Sequence, residues 1–171
     1  MRRPGVTFGQ LIAVPFLLAV ADGQAARGAP ADAGPGVSRP ARRLTTDEYK
    51  ALMNRLAEAW NANDARRAVD LFTADAVYSA PPSGRVRRGR DELLRFFGGP
   101  TGRPRPMRMD WHHLAFDEES QIGAGEYTFT YETRTHGAVM VRIVDGKIAN
   151  WREYEQASPL EWEAFVGPNR F

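Results

Sequence analysis

IVDGKIANWREYE, residues 143–155, sets Asp145-Gly146 between two runs of alternating residues. An Asp-Gly pair supplies the left-handed conformations that a two-residue hairpin turn demands, so antiparallel strands are expected over about 137–144 and 148–155. Alternate positions of a strand share a face. Ala149, Trp151 and Glu153 therefore point one way, and Asn150, Arg152 and Tyr154 the other.

Working outward, the period of the sequence is two from Met107 onward, which predicts two more strands at about 107–116 and 122–133. Asp117-Glu118-Glu119-Ser120 and Thr135-His136-Gly137 fit the remaining turns. Pro159 ends the sheet, and Leu160, Trp162, Phe165 and Val166 form a short C-terminal cover. Upstream the pattern is helical. Thr46-Asp47-Glu48 suits the orphan amides and positive dipole end of a first turn, and Tyr49, Leu52, Met53, Leu56 and Trp60 make one apolar stripe. Asn61 to Asp64 interrupts the stripe and recaps a second helix that buries Ala68, Leu71 and Phe72. Ala76 to Ala80 reads as a short strand stopped by Pro81-Pro82, and SGRVRRGR (83–90) as a polar loop. Asp91 caps a third helix carrying Leu93, Leu94, Phe96 and Phe97, closed by Gly98-Gly99-Pro100. Helices first, then an antiparallel meander, define an α+β fold: a curved antiparallel sheet packed on N-terminal helices, a cone whose open mouth suits a small ligand.

The 171 residues suffice for one domain with its own core. Residues 1–21 read as a signal peptide, from Arg2-Arg3 through the apolar run Leu11–Val20 to the small-x-small site Ala19-Val20-Ala21, so a secreted or periplasmic location is expected. The run is too short for a stable membrane anchor and holds Pro15. Residues 22–43, rich in Ala, Gly and Pro, read as a flexible linker, and 44–171 as the folded domain. The chain has no cysteine, which excludes disulfides and thiolate chemistry. Its 23 basic and 21 acidic residues suggest an anionic partner, but the excess is Arg2 and Arg3; from Leu44 onward 17 basic face 19 acidic residues. Nucleic acid is therefore not an expected partner.

The segments AWNANDARRAVDLFTADAVYSAP (59–81), GRDELLRFF (89–97) and IVDGKIANWREYE resemble the nuclear transport factor 2-like superfamily, and within it the SnoaL-like group, over roughly Thr45 to Ser158. The resemblance implies a cone-shaped α+β barrel with a pocket and a homodimer through the outer sheet face. It does not imply one reaction, since the family includes isomerases, cyclases, dehydratases, epoxide hydrolases and binding proteins.

Within that resemblance, limonene epoxide hydrolases carry their water-activating carboxylate in a Trp-Arg-acid-Tyr run, which puts Glu153 in the pocket. Burial beside Trp151 would raise its pKa and suit a general acid or base; a hydrogen-bonded structural acid is the alternative. The hydrolases' Arg-x-Asp has no counterpart, because the preceding strand offers Tyr127 and Phe129 or Glu126 and Thr128. Ketosteroid isomerases place their base where this chain has Ala80. Tyr127, Phe129 and Tyr131 alternate with polar residues, and this aromatic face is assigned to the pocket with Trp60, Tyr78 and Trp151. Of His112 and His113 one can face inward. Met107, Met109 and Trp111 favour His113, although Leu114 and Phe116 have the opposite parity, and scytalone-dehydratase-like members use a His on a similar strand. Glu153 and His113 are thus the catalytic candidates. No metal site is expected, since His136 falls in a turn without a partner at ligand spacing, and no cofactor is implied. The arginines from Arg85 to Arg108 read either as a solvated rim or as a guanidinium rim for a carboxylated or phosphorylated ligand. Three functions remain: a pocket protein for a small apolar or aromatic metabolite with isomerase-, cyclase- or dehydratase-type chemistry, a non-catalytic ligand-binding or dimerisation module, or an anion-binding surface module using the arginine loop.

Overall fold

A computed structural model describes residues 41–169; the expected signal peptide and all of the linker except Ala41–Arg43 lie outside these residues. Arg42 and Arg43, counted with the linker, are tied to the domain. The Arg42 amide donates to Asp145, and the Arg43 guanidinium to the carbonyls of Glu118 and Glu119.

Helix α1 (Thr46–Asn61) starts on a full capping box, in which Thr45 accepts from the Glu48 amide while the Glu48 carboxylate accepts from the Thr45 amide. Its apolar stripe is buried as the spacing predicts, from Tyr49 through Leu52, Met53 and Leu56 to Trp60. Each such side chain contributes about 1.5–3 kcal/mol on leaving water. Helix α2 (Ala65–Val69) follows on an Asp64 cap. It ends before Phe72, which instead opens β1 (Phe72–Ala80), because the chain turns there to feed the sheet. The polar segment expected to be a loop contains β2 (Arg85–Arg88), paired antiparallel with β1. This is an edge strand, where charged residues suit a row of unpaired backbone groups and no apolar alternation is needed. Helix α3 (Gly89–Phe96) follows directly, its first turn held by Glu92 accepting from the Arg88 amide rather than by an Asp91 cap.

The remaining strands are β3 (Arg108–Asp117), β4 (Ile122–Thr130), β5 (Arg134–Val144) and β6 (Lys147–Ala157), and α4 (Trp162–Val166) lies near the C-terminus. Asp145 (φ 50°) and Gly146 (φ 74°) make the expected hairpin turn. The β4–β5 turn falls at residues 131–133, earlier than expected, which takes His136 and Gly137 into β5. The sheet is curved and unclosed, in the order β2-β1-β6-β5-β4-β3. It is antiparallel except between β1 and β6, where Tyr78 lies beside Trp151 in a parallel pair. Helix α1 packs across the sheet's inner face, pinned when the Asn61 side chain accepts from the Met109 amide (2.6 Å) and donates to its carbonyl (3.1 Å), and when the Trp111 indole donates to the Met53 carbonyl (3.0 Å). Among the described residues no helix is long and apolar enough to cross a membrane.

Candidate functional site

Burial along β6 alternates as its sequence predicts: Trp151 and Glu153 are inside, Arg152 and Tyr154 outside. Glu153 is only 8 % exposed, and three donors converge on its Oε2: the Tyr78 hydroxyl at 2.6 Å, the Trp151 indole at 2.8 Å and the Tyr127 hydroxyl at 3.3 Å. The positions follow from the ladders. β1 sets Tyr78 beside Trp151, two residues along β6 on the same face as Glu153, while β5 separates β6 from the strand that carries Tyr127.

Burial raises the Glu153 pKa from its ordinary 4.5 by disfavouring the charged form; the hydrogen bonds from Tyr78, Trp151 and Tyr127 oppose this, and the charge of Glu155 adds to it. Burial also holds the phenols of Tyr78 and Tyr127 well above their ordinary range, reinforced by the Glu153 charge, so both remain protonated donors.

Glu153 borders a cavity of about 110 Å³ lined also by Trp60, Tyr78, Tyr127, Phe129, Phe96, Phe97, Met107, Met109, Arg103 and Glu155. Five of the expected site residues, Trp60, Tyr78, Tyr127, Phe129 and Glu153, therefore line one cavity. Trp151 does not border the cavity; it is 1 % exposed, stacked on Tyr78 (ring centroids 5.5 Å apart), and acts on the site through its indole N–H. Tyr131 is also off the cavity wall, with the Arg103 guanidinium 5.0 Å from its ring centroid.

His113 is not in the cavity. A β-bulge at His112 shifts the β3 register between Trp111 and His113, so the inward parity passes from Met109 and Trp111 to Leu114 and Phe116. His113 lines an outer groove with His112, Glu126 and Trp162 instead, and an acid/base pair with Glu153 is ruled out by this placement. His136 is not in a turn but 1 % exposed within β5; its Nδ1 is 2.9 Å from the Thr128 hydroxyl, which His112 Nε2 meets at 2.7 Å, and its Nε2 is 2.9 Å from the Leu160 carbonyl. With Trp162 stacked on His112, this network docks the C-terminal cover on the outer face. No three potential metal ligands cluster among the described residues.

The cavity residues outside the expected site set are Phe96, Phe97, Met107, Met109, Arg103 and Glu155, Arg103 reading in the sequence only as one of the rim arginines. Phe97 was visible as helix apolar surface and Glu155 shares the parity of Glu153; Arg103 sits in a Gly- and Pro-rich stretch without period. Gly137 faces Tyr127 across the β4–β5 ladder, and a Cβ there would lie 2.6 Å from the Tyr127 hydroxyl and 2.8 Å from the Tyr154 carbonyl. Gly137→Ala is expected to cost about 1–3 kcal/mol and to push Tyr127 off Glu153, read as a lowered melting temperature with a shifted Tyr127 hydroxyl environment. An unchanged melt would show that the two strands separate more readily than this contact allows.

The chain has no significant match among curated proteins. Solved structures share its architecture. An NTF-2 like protein of unknown function from Burkholderia xenovorans is 19% identical, with 73% of this chain and 97% of that one covered at a TM-score of 0.58. SalBIII, described as an epoxide hydrolase/cyclase-like enzyme in pyran ring formation of the polyether salinomycin, is 20% identical over 64% of this chain and 92% of that one, at 0.54. An LEH-like epoxide hydrolase from M. tuberculosis is 18% identical over 65% and 84%, at 0.53. At these identities the likeness is one of fold. Residues 53–151, from the buried stripe of α1 to the tryptophan of β6, match the profile of the SnoaL-like domain, and the chain belongs to that family.

Proposed function

We propose that this protein binds a small, flat, apolar or aromatic molecule in the cavity and exchanges a proton with it through Oε1 of Glu153. One observation carries the reading: the three donors on Glu153 all engage the same oxygen. An indole N–H can only donate, and phenols held this far up their scale stay protonated. With all three bonds directed at it, Oε2 is taken up as an acceptor, which leaves Oε1 the better placed oxygen to carry a proton. Burial raises the group's pKa above its ordinary 4.5, the direction that suits a residue that must both give and take a proton. Isomerase, cyclase and dehydratase chemistry each need such a group.

The aromatic and methionine walls favour an apolar body. An apolar cavity on the order of 150 Å³ holds benzene. At about 110 Å³ this one is smaller than that, so a ring would be enclosed only in part, the rest of the ligand extending through the mouth. Acid/base chemistry here differs from that of an Arg-x-Asp hydrolase, because the inward residues of β4 are Tyr127 and Phe129. The leader-like residues 1–21 support a role outside the cytoplasm.

Native mass spectrometry of protein purified from its own host identifies a co-purifying ligand; turnover of that compound by wild type and Glu153→Gln then tests the reading. A loss of roughly 100-fold or more in turnover with binding retained is expected. Turnover by the variant at the wild-type rate removes the acid/base role, and ligand binding without any turnover by the wild type identifies a binding module.

A further inference from the structure

Eight arginines lie between Arg85 and Arg108, and the structure separates them. Arg90 donates twice to the Phe72 carbonyl, Arg105 pairs with Glu132, and Arg108 grips Asp110 with both ends of its fork. Arg87 and Arg95 border a separate surface depression with Glu92. Arg103 alone of the eight lines the cavity that holds Glu153.

Its position is built. The Asn63 side chain, on a backbone in the left-handed region (φ 55°), accepts from the Arg103 amide and donates to its carbonyl, both at 2.8 Å. Gly98 and Gly102 let the segment close, since a Cβ at Gly98 would fall 2.6 Å from the Arg103 nitrogen and one at Gly102 2.6 Å from the Asn63 carbonyl. The guanidinium lies between two rings, 5.6 Å from the Phe96 centroid and 5.0 Å from that of Tyr131, and one terminal nitrogen donates to the Phe96 carbonyl at 2.5 Å. The Nε–H is buried with no acceptor among the described residues. A buried charged donor left without an acceptor is costly, and a guanidinium is shaped to meet two oxygens of one planar group.

We infer that Arg103 recognises a carboxylate on the ligand, so that the molecules taken up by this cavity are small aromatic or apolar carboxylic acids, the acid held by Arg103 and the apolar body presented to Glu153. This rests on the cavity being a ligand site, as proposed above. Phe96 links the two ends, its ring 5.2 Å from that of Tyr78, which in turn donates to Glu153. Two carboxyls border the same cavity, the buried Glu153 and Glu155, which is exposed. If Glu155 rather than a ligand were the natural acceptor for Arg103, a ligand carboxylate would gain nothing there.

Benzoate and benzyl alcohol, matched in ring and differing in the charged group, separate these cases when titrated by NMR into wild type, Arg103→Met and Arg103→Lys. Wild type is expected to bind benzoate roughly tenfold or more tightly than benzyl alcohol, with a shift of the Arg103 Nε–H resonance on adding benzoate only. Arg103→Met should lose that preference and keep its affinity for the alcohol; Arg103→Lys should restore part of it, and decides the matter if the methionine variant does not fold. Equal binding of both probes in wild type and variants overturns the carboxylate assignment and leaves the pocket standing. A failure of both probes to bind wild type counts against the ligand pocket itself.

Discussion

Trp151→Ala is expected to remove about 3–5 kcal/mol of stability, the largest loss for any single truncation in the domain. The ring is 1 % exposed and touches four others: it stacks on Tyr78, meets Trp60 edge-on at 5.6 Å, and lies against Phe72 and Trp111 at 6.4 and 6.3 Å. These partners come from α1, β1 and β3, so the void would open where three elements meet. The loss has a second part, since the indole N–H is one of the donors on Glu153. Trp151→Phe separates the two, keeping most of the ring while deleting the N–H. Its cost should fall nearer the 1.5–3 kcal/mol of a hydrogen bond to a charged group. Urea denaturation measures both variants, and an alanine variant within about 1 kcal/mol of wild type would show that the tryptophan is not packed as described.

The Glu153 carboxyl is expected to make wild-type stability decline as pH rises, and Glu153→Gln to abolish that decline. The sign follows from linkage. The folded pKa is raised above the ordinary 4.5 by burial, so between the two values the folded state holds more proton than the unfolded chain. Stability therefore falls as pH rises through that window, and above the folded value the whole cost of a buried charge is present. Glutamine keeps the oxygen that accepts from Tyr78, Tyr127 and Trp151 and carries no charge at any pH. The stability difference between wild type and variant cancels the other titrating groups, and should move steadily against wild type from below pH 4.5 upward. A difference independent of pH would show a carboxyl as well solvated in the folded protein as in the unfolded chain.

How much of this was legible in the sequence depended on whether a side chain's place is set by local period or by a single inserted residue. The stripe of α1, the Asp145-Gly146 turn and the parity of β6 are local patterns, and they put Trp60 and Glu153 on inner faces. The aromatic alternation of β4 did the same for Tyr127 and Phe129. His113 failed because one extra residue, His112, reverses every later side chain on β3; the conflict between Trp111 inward and Leu114 inward was the only trace it left. β2 was illegible because an edge strand of Arg-Val-Arg-Arg has no buried face to impose alternation. Arg103 was one of eight arginines until Asn63, 40 residues earlier, fixed its backbone. That pairing is a tertiary fact with no local signature. The turn before β5 lies earlier than Thr135-His136-Gly137 suggest, because Gly137 serves the close passage of Tyr127 rather than a turn.

β6 is both the final strand among the described residues and a central one, lying between β1 and β5. Until it inserts, a growing chain presents two open edges to its neighbours, the condition under which sheets recruit other sheets. The bond between Tyr78 and Glu153 spans 75 positions, so the entropy of closing that loop must be met before any of its contacts form, which slows folding. Glu153 is thus an ordinary hydrated carboxylate in the unfolded chain, and gains its raised proton affinity only once β6 is packed between its neighbours.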